Sequence, residues 1–317
     1  MISHYMYPHA YRPKAERFSD FKPLATALFK RWGMNKVDIY EQGEDDNIQY
    51  AVMSNDDVVI VAFRGSDNML GKDGWADWVA TDTRLLQKEI TSWGKAEYQN
   101  KRGVTVTEGP GVHKGFYYAY RDVRHNINSR IKAHGGDKKK LFITGHSLGA
   151  ALATLCAIDQ GYSSEWIMPG RDTKQYRAQA VYTYGSPRVG NGLFRKLYNS
   201  KKSAGGTAAL NTHRYVNRAD GICMGPPDSY AFDLACQIYD WLTPHDVKKY
   251  THVGRTCNIT SSKIARDDDE YRGTGDMKYH DSKAYCDQIY RFHIKPRSWA
   301  KEMPLPPCHG SEGIFSN

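Results

Sequence analysis

Long apolar runs are missing from this chain. The longest uncharged apolar stretch, 148–158, is about half of the ~20 residues that a bilayer-spanning helix needs, so no transmembrane segment is expected. The start, Met1-Ile2-Ser3-His4-Tyr5-Met6-Tyr7-Pro8, has no basic stretch leading into an apolar core. No signal peptide is recognised, which leaves the compartment open: inside the cell, exported by a non-standard route, or already trimmed. Internal repeats and low-complexity segments are absent, which excludes solenoids and linker-like chains. None of the six cysteines stands in a CxxC pair, which argues against a zinc site. No metal or organic cofactor is expected. Cys156 falls in an apolar helical run and reads as core. The other five, Cys223, Cys236, Cys257, Cys286 and Cys308, could form up to two disulfides with one left over, and spacing does not choose among the pairings.

What is present is an ordinary globular composition, 40% hydrophobic and 25% charged over 317 residues. Two domains of ~150 residues would fit that length, but no linker divides it. One domain over 1–317 is expected. The net charge of +9 invites a nucleic-acid reading. The Lys and Arg residues are spread out, however, and the densest run, Lys138-Lys139-Lys140, reads as a solvated loop before an apolar strand. No nucleic-acid motif accompanies the charge, so no such partner is expected. A basic surface also suits anionic lipid interfaces or acidic substrates.

Residues 15–33 have helical apolar spacing, and strands at 36–40, 48–53 and 58–63 form a meander separated by turn signals. A helix at 116–134 stops at Gly135-Gly136; strand 141–144 and helix 147–159 follow. Further strands read at 178–184, 212–216 and 250–257, with helices at 192–198, 230–241 and 281–290. This alternation predicts an α/β fold with a mostly parallel central sheet and helices on both faces. The tail 304–317 reads as irregular.

Gly145-His146-Ser147-Leu148-Gly149 carries the chemistry. Bare G-x-S-x-G is weak, but here a short apolar strand precedes it and a helix of small residues follows. A serine at such a turn holds Oγ clear of the sheet beside a helix N-terminus, where a developing oxyanion is favoured. Serine needs a base oriented by an acid. The chain order Ser, acid, His gives Asp220, which follows a strand end and is bounded by Gly221. Its neighbours Asp228, Asp233 and Asp240 fall in or beside the next predicted helix. For the base, His280 at a loop-to-helix position reaches the serine more easily than His252, which sits inside a strand-like run; His245 and His309 read as surface residues. The Leu148 amide would be one oxyanion donor, and Ser66, after the strand ending Phe63-Arg64-Gly65, would supply the other.

In these segments the chain resembles the class 3 (fungal-type) lipases of the α/β-hydrolase fold. The resemblance covers Phe63-Arg64-Gly65-Ser66, Val112-His113-Lys114-Gly115-Phe116, Gly145-His146-Ser147-Leu148-Gly149-Ala150, Tyr184-Gly185-Ser186-Pro187-Arg188-Val189-Gly190, Asn217-Arg218-Ala219-Asp220 and Tyr250-Thr251-His252-Val253-Gly254. It implies Ser147 as nucleophile, Asp220 as acid, His280 as base, and Ser66 and Leu148 as the oxyanion hole. It also implies a lid helix at 67–83, where Met69, Leu70, Trp75, Trp78 and Val79 stand among glycines and charges, suited to a lipid–water interface. The expected activity is triacylglycerol or other carboxylester hydrolysis through an acyl-enzyme. Phospholipase A1 or short-chain esterase activity is the alternative, and a non-catalytic binding protein the remote one. The chain departs from the family after Asp220, where Gly221-Ile222-Cys223-Met224-Gly225-Pro226-Pro227 replaces the usual Pro-containing apolar segment. The connection 228–249 is also longer than usual.

Overall fold

A computed structural model describes residues 2–11, 17–42, 48–65, 87–90, 96–99, 105–161, 176–200, 210–217, 220–225, 250–259, 264–267 and 279–294. Ser66, the candidate lid 67–83, the predicted helix 230–241 with Asp228, Asp233, Asp240 and His245, and the tail 304–317 with His309 lie outside the described residues.

The central sheet has eight strands: β1 (Lys36–Gln42), β2 (Ile48–Ser54), β3 (Val58–Phe63), β4 (Lys140–His146), β5 (Ala178–Tyr184), β6 (Thr212–Asn217), β7 (Arg255–Ile259) and β8 (Ile264–Asp267). They lie side by side in sequence order. β1, β2 and β3 form the expected antiparallel meander. β3 through β7 are parallel, and β8 closes the far edge antiparallel to β7. Parallel neighbours need crossovers, and helices supply those that lead from β3 to β6.

The inner strands β2 to β5 are largely buried on both faces, so their residues alternate between two cores. Tyr50, Val52, Val59, Val61 and Phe63 point to one face, where α2 (Lys114–Ala133) and α3 (Leu148–Gly161) pack. Ala51, Met53 and Ala62 point to the other, under α1 (Phe18–Arg31). On α1 the residues Phe21, Ala25, Leu28 and Phe29 repeat at i, i+4, i+7 and i+8, one helical face. Asp20, in its first turn, accepts the Arg17 N–H and caps the start. α3 has no polar stripe and is buried on every side between sheet and α2. Two shorter helices, α4 (Gly192–Ser200) and α5 (Ser282–Ile289), complete the described set. A smaller sheet joins Gly111–His113, Gly190–Asn191, Tyr250–Thr251 and Gln87–Glu89.

One expectation needs correction. The strand predicted at 250–257 is two, because Gly254 turns the chain with φ +77°; Tyr250–Thr251 joins the small sheet and β7 the large one. The cysteine pairing, left open by the sequence, also narrows. Cys156, Cys223, Cys257 and Cys286 are buried thiols, each on a different element. That leaves only Cys236 and Cys308, outside the described residues, to pair. Residues 2–11 pack on the fold. Tyr5, Met6, Tyr7 and Tyr11 are buried, and Tyr5, Met6 and Tyr11 join the core under α1.

Among the described residues, no helix is long and apolar enough to cross a membrane.

Candidate active site

β4 ends at His146 and α3 begins at Leu148, so Ser147 must turn the chain in one residue. It does so with φ +59°, the only non-glycine residue with positive φ among those described. That conformation costs about 1–2 kcal/mol and persists only where its surroundings enforce it. Here they do. The Ser147 N–H donates to the Tyr184 carbonyl on β5 at 3.0 Å, and its carbonyl accepts the Ala150 N–H. A Cβ on Gly145 would collide with the Gly149 carbonyl. One on Gly149 would lie 2.6 Å from the Phe63 oxygen and 2.7 Å from the Arg64 carbonyl. The flanking glycines therefore let helix, elbow and the end of β3 close on one another. Ser147 sits at the positive end of α3, and the Leu148 N–H is a first-turn donor without an intrahelical partner.

Asp220 follows β6 and caps the short turn Gly221–Met224, accepting the Ile222 N–H at 2.9 Å. It is fully buried. His280 Nδ1–H points at both its oxygens, at 2.9 and 3.0 Å, and the Tyr285 hydroxyl donates to Oδ2 at 2.6 Å. Burial pushes this carboxyl upward, but the adjacent His280 and the hydrogen bonds from His280 and Tyr285 outweigh it. Asp220 is held below its ordinary value. With Nδ1–H committed to the carboxylate, the His280 lone pair lies on Nε2. That atom is buried, and among the described residues no hydrogen bond reaches it. Gly185, φ +56°, makes the pairing fit: a Cβ there would stand 2.9 Å from Asp220 Oδ2 and from His280 Nδ1.

The other candidate base is engaged elsewhere. His252 is buried and donates from Nε2 to the Cys223 carbonyl at 2.7 Å, bracing the loop after Asp220. Burial, then the positive charges of Arg214 and Arg188, push it well below the ordinary imidazole range. A second Ser–His–Asp set exists at the sheet's edge: Ser54 Oγ is 3.0 Å from His134 Nδ1, and His134 Nε2 is 3.0 Å from Asp38. Its geometry opposes catalysis. Ser54 ends a regular strand, and His134 is the C-cap of α2, so a developing oxyanion would face the negative end of a helix.

Four residues near Ser147 and His280 were not singled out from the sequence. Gly185 and His146 lie inside quoted motifs, and Tyr285 stands five residues beyond His280, so each had a local signal. Tyr7 had none. No cluster of three metal-binding side chains occurs among the described residues.

The family described as Lipase (class 3) matches residues 60–230, more than half of the chain. The chain belongs to the class 3 lipase family. Ser147, Leu148 and Asp220 fall within the matched segment, and His280 beyond it. Within the family, the chain is 30% identical over 184 residues to secreted mono- and diacylglycerol lipase 1 of Fusarium solani, covering 54% of this chain and 48% of that protein. It is 28% identical over 230 residues to a lipase of Rhizomucor miehei (69% and 52%). It is 27% identical over 199 residues to the chloroplastic phospholipase A(1) DAD1 of Arabidopsis thaliana (58% and 41%). The chain thus spans about half the length of the curated relatives it matches. Among solved structures, a mutant MDLA from Penicillium cyclopium superimposes with TM-score 0.54 at 20% identity, over 88% of this chain and 90% of that one. Rhizomucor miehei triacylglyceride lipase does so with TM-score 0.50 at 18% identity, over 88% and 91%. The α/β-hydrolase fold of this class 3 lipase is the one these structures share.

Proposed function

We propose that this chain is a serine carboxylester hydrolase acting on acylglycerols, triacylglycerols foremost. The reading treats 1–317 as one α/β-hydrolase unit. The observation that carries it is the strained Ser147 elbow at a helix N-terminus, in the same site as an imidazole locked by Nδ1–H to a buried carboxylate.

His280 Nε2 takes the Ser147 proton as Oγ attacks the ester carbonyl. The negative charge on the former carbonyl oxygen is held by the Leu148 N–H and by Ser66, which follows the β3 end that packs on the elbow. Asp220 holds the imidazolium without taking its proton. His280 then protonates the departing alcohol, leaving an acyl-enzyme. Water, deprotonated by the same nitrogen, attacks the acyl carbon and releases fatty acid and free Ser147. No step calls for a metal or cofactor.

The relatives named as mono- and diacylglycerol lipases support an acylglycerol substrate. Those named as phospholipases A1 support the second reading, in which a phospholipid occupies the same cleft. The apolar residues of 67–83, among glycines and charges, support a lid that opens on a lipid–water interface.

The test is hydrolysis of emulsified triacylglycerols from C4 to C18 across the solubility limit of the shorter ones, with Ser147→Ala as blank. Rate should jump when droplets form and persist on long chains. Activity confined to dissolved short chains would mean an esterase and would remove the lid; preference for diacyl phospholipids would mean the second reading. His280→Ala should lower kcat by roughly 10⁴ or more, and His252→Ala far less. The reverse order would reassign the base.

A further inference from the structure

Residues 2–11 run beneath the site and are pegged to it at two points. His4 Nδ1 lies 3.0 Å from Ser282 Oγ, two residues after His280. The Tyr7 hydroxyl lies 2.8 Å from His146 Nδ1 and accepts the Gly65 N–H at 3.0 Å. His146 Nε2 in turn lies 2.7 Å from the carbonyl oxygen of His280. All three side chains are buried.

The proton positions follow from the partners. A carbonyl oxygen only accepts, so the hydrogen of a neutral His146 is on Nε2, pointing at His280. Nδ1 is then the acceptor, and Tyr7 must donate to it. The Tyr7 oxygen keeps lone pairs for the Gly65 amide. One directed chain, Gly65 N–H to Tyr7 O–H to His146 and His146 N–H to the His280 carbonyl, joins three segments. They are the end of β3 before Ser66, the residue before Ser147, and the backbone of the base.

The setting keeps this chain in one state. Burial, reinforced by the neighbouring His280, holds His146 well below the ordinary imidazole range, so it stays neutral. Its ring stacks on that of His280, centroids 4.7 Å apart and 29° from parallel. A charge there would oppose the charge that His280 must acquire in turnover. Burial pushes the Tyr7 phenol far above its ordinary range, so it remains a donor. The Arg64 guanidinium covers its ring at 5.2 Å. Crowding fixes the distances: a Cβ on Gly65 would press on the Tyr7 hydroxyl and come within 2.8 Å of Ser147 Cβ.

We propose that Tyr7 is a positioning residue for acyl transfer, setting the spacing of Ser147, His280 and the oxyanion segment through the bridge of His146. The proposal rests on the reading of Ser147 and His280 given above. It makes the N-terminal segment part of the active site.

The test compares the full chain with Tyr7→Phe, which keeps the ring and its packing but removes the hydroxyl. Two rates are read: phosphonylation of Ser147 by a soluble alkyl fluorophosphonate, and kcat on a dissolved short-chain ester. Both should fall about ten- to hundredfold, as expected for reacting groups displaced by a fraction of an ångström to an ångström. KM should stay within twofold and the thermal midpoint within a few degrees, which a merely structural loss would not produce. His146→Gln offers a donor and an acceptor at similar separation and should retain more of both rates than His146→Leu. Equal rates in Tyr7→Phe and the unsubstituted chain overturn the inference. Should Tyr7→Phe not fold, equal rates in the two His146 variants overturn it instead. An unsubstituted chain that takes no label at Ser147 overturns the nucleophile assignment, and the inference with it.

Discussion

Tyr285 and Asp220 share a 2.6 Å hydrogen bond, placing a phenol on the same carboxylate oxygen that faces the imidazole of His280. The Tyr285 oxygen also accepts the Asn217 N–H at 2.9 Å, at the end of β6. One hydroxyl therefore fixes both the carboxylate and the strand end that presents it. Asp220 receives three kinds of donor, from Ile222, His280 and Tyr285, and this lets a buried carboxylate stay charged.

Tyr285→Phe tests that arrangement. It strands the Asn217 amide and removes one of the donors that lower the Asp220 pKa. Stability should fall by about 1–3 kcal/mol, the usual cost of an unsatisfied buried donor. Because the folded Asp220 lies below its unfolded value of about 3.9, its contribution is present above that pH and is lost as pH falls through the folded value. The variant should lose its acid stability earlier, while kcat at pH 8 falls only about three- to tenfold, since Asp220 remains ionised. Urea unfolding at pH 4 and pH 7 with steady-state kinetics reads both; a kcat loss above a thousandfold would give Tyr285 a direct part in the chemistry.

Gly185→Ala should separate site geometry from fold. The residue has φ +56°, and an added methyl would meet Asp220 and His280 at 2.9 Å. The left-handed backbone alone costs about 1 kcal/mol for alanine. The larger effect should be on kcat, down by roughly a hundredfold, with circular dichroism unchanged. Unaltered kcat would show that the imidazole tolerates displacement.

Legibility from the sequence followed the range of the contacts. Ser147 was visible because strand, glycine-bounded turn and small-residue helix are contiguous, and the α/β alternation was visible because each period of two or 3.6 is local. Asp220 and His280 could be named from chain order, but their pairing spans sixty positions, and nothing local selects His280 against His252 beyond its loop setting. Tyr7 meets His146 across 139 positions and belongs to no periodic pattern. Cysteine pairing stayed open for a related reason: number and spacing carry no information on whether a thiol faces another thiol or, like Cys223, the hydroxyl of Tyr285.

The second buried carboxylate, Asp159, should matter to stability and not to turnover. Near the end of α3 it accepts from Arg124 Nε at 2.7 Å and from the Tyr120 hydroxyl at 2.8 Å, locking α3 to α2 away from Ser147 and His280. Asp159→Asn leaves the guanidinium buried beside a neutral amide. Removing one partner of such a pair costs about 3–5 kcal/mol. The urea midpoint should drop accordingly, while kcat per folded molecule, titrated with fluorophosphonate, stays within twofold. A kcat loss in the titrated enzyme would mean that α3 transmits strain to the elbow.

Acid should destabilise this chain well before its carboxylates titrate. His146 and His252 are buried and neutral, both held well below the ordinary imidazole value. In the unfolded chain each takes a proton near pH 6.5. The unfolded state thus binds more protons between that pH and the folded value, and stability must fall as pH drops through the window. The loss approaches about 1.4 kcal/mol per histidine for each pH unit below 6.5, and above about pH 7.5 it vanishes. His252→Gln isolates one of the two. An amide can still donate to the Cys223 carbonyl that now receives His252 Nε2–H, yet it cannot titrate. Urea unfolding at pH 5.5, 6.5 and 7.5 should show a shallower slope for the variant, by about one histidine's share below pH 6.5, and similar stability at pH 7.5. Parallel slopes would mean that His252 is as readily protonated in the folded chain as in the unfolded one, and that Arg188 and Arg214 do not govern its charge.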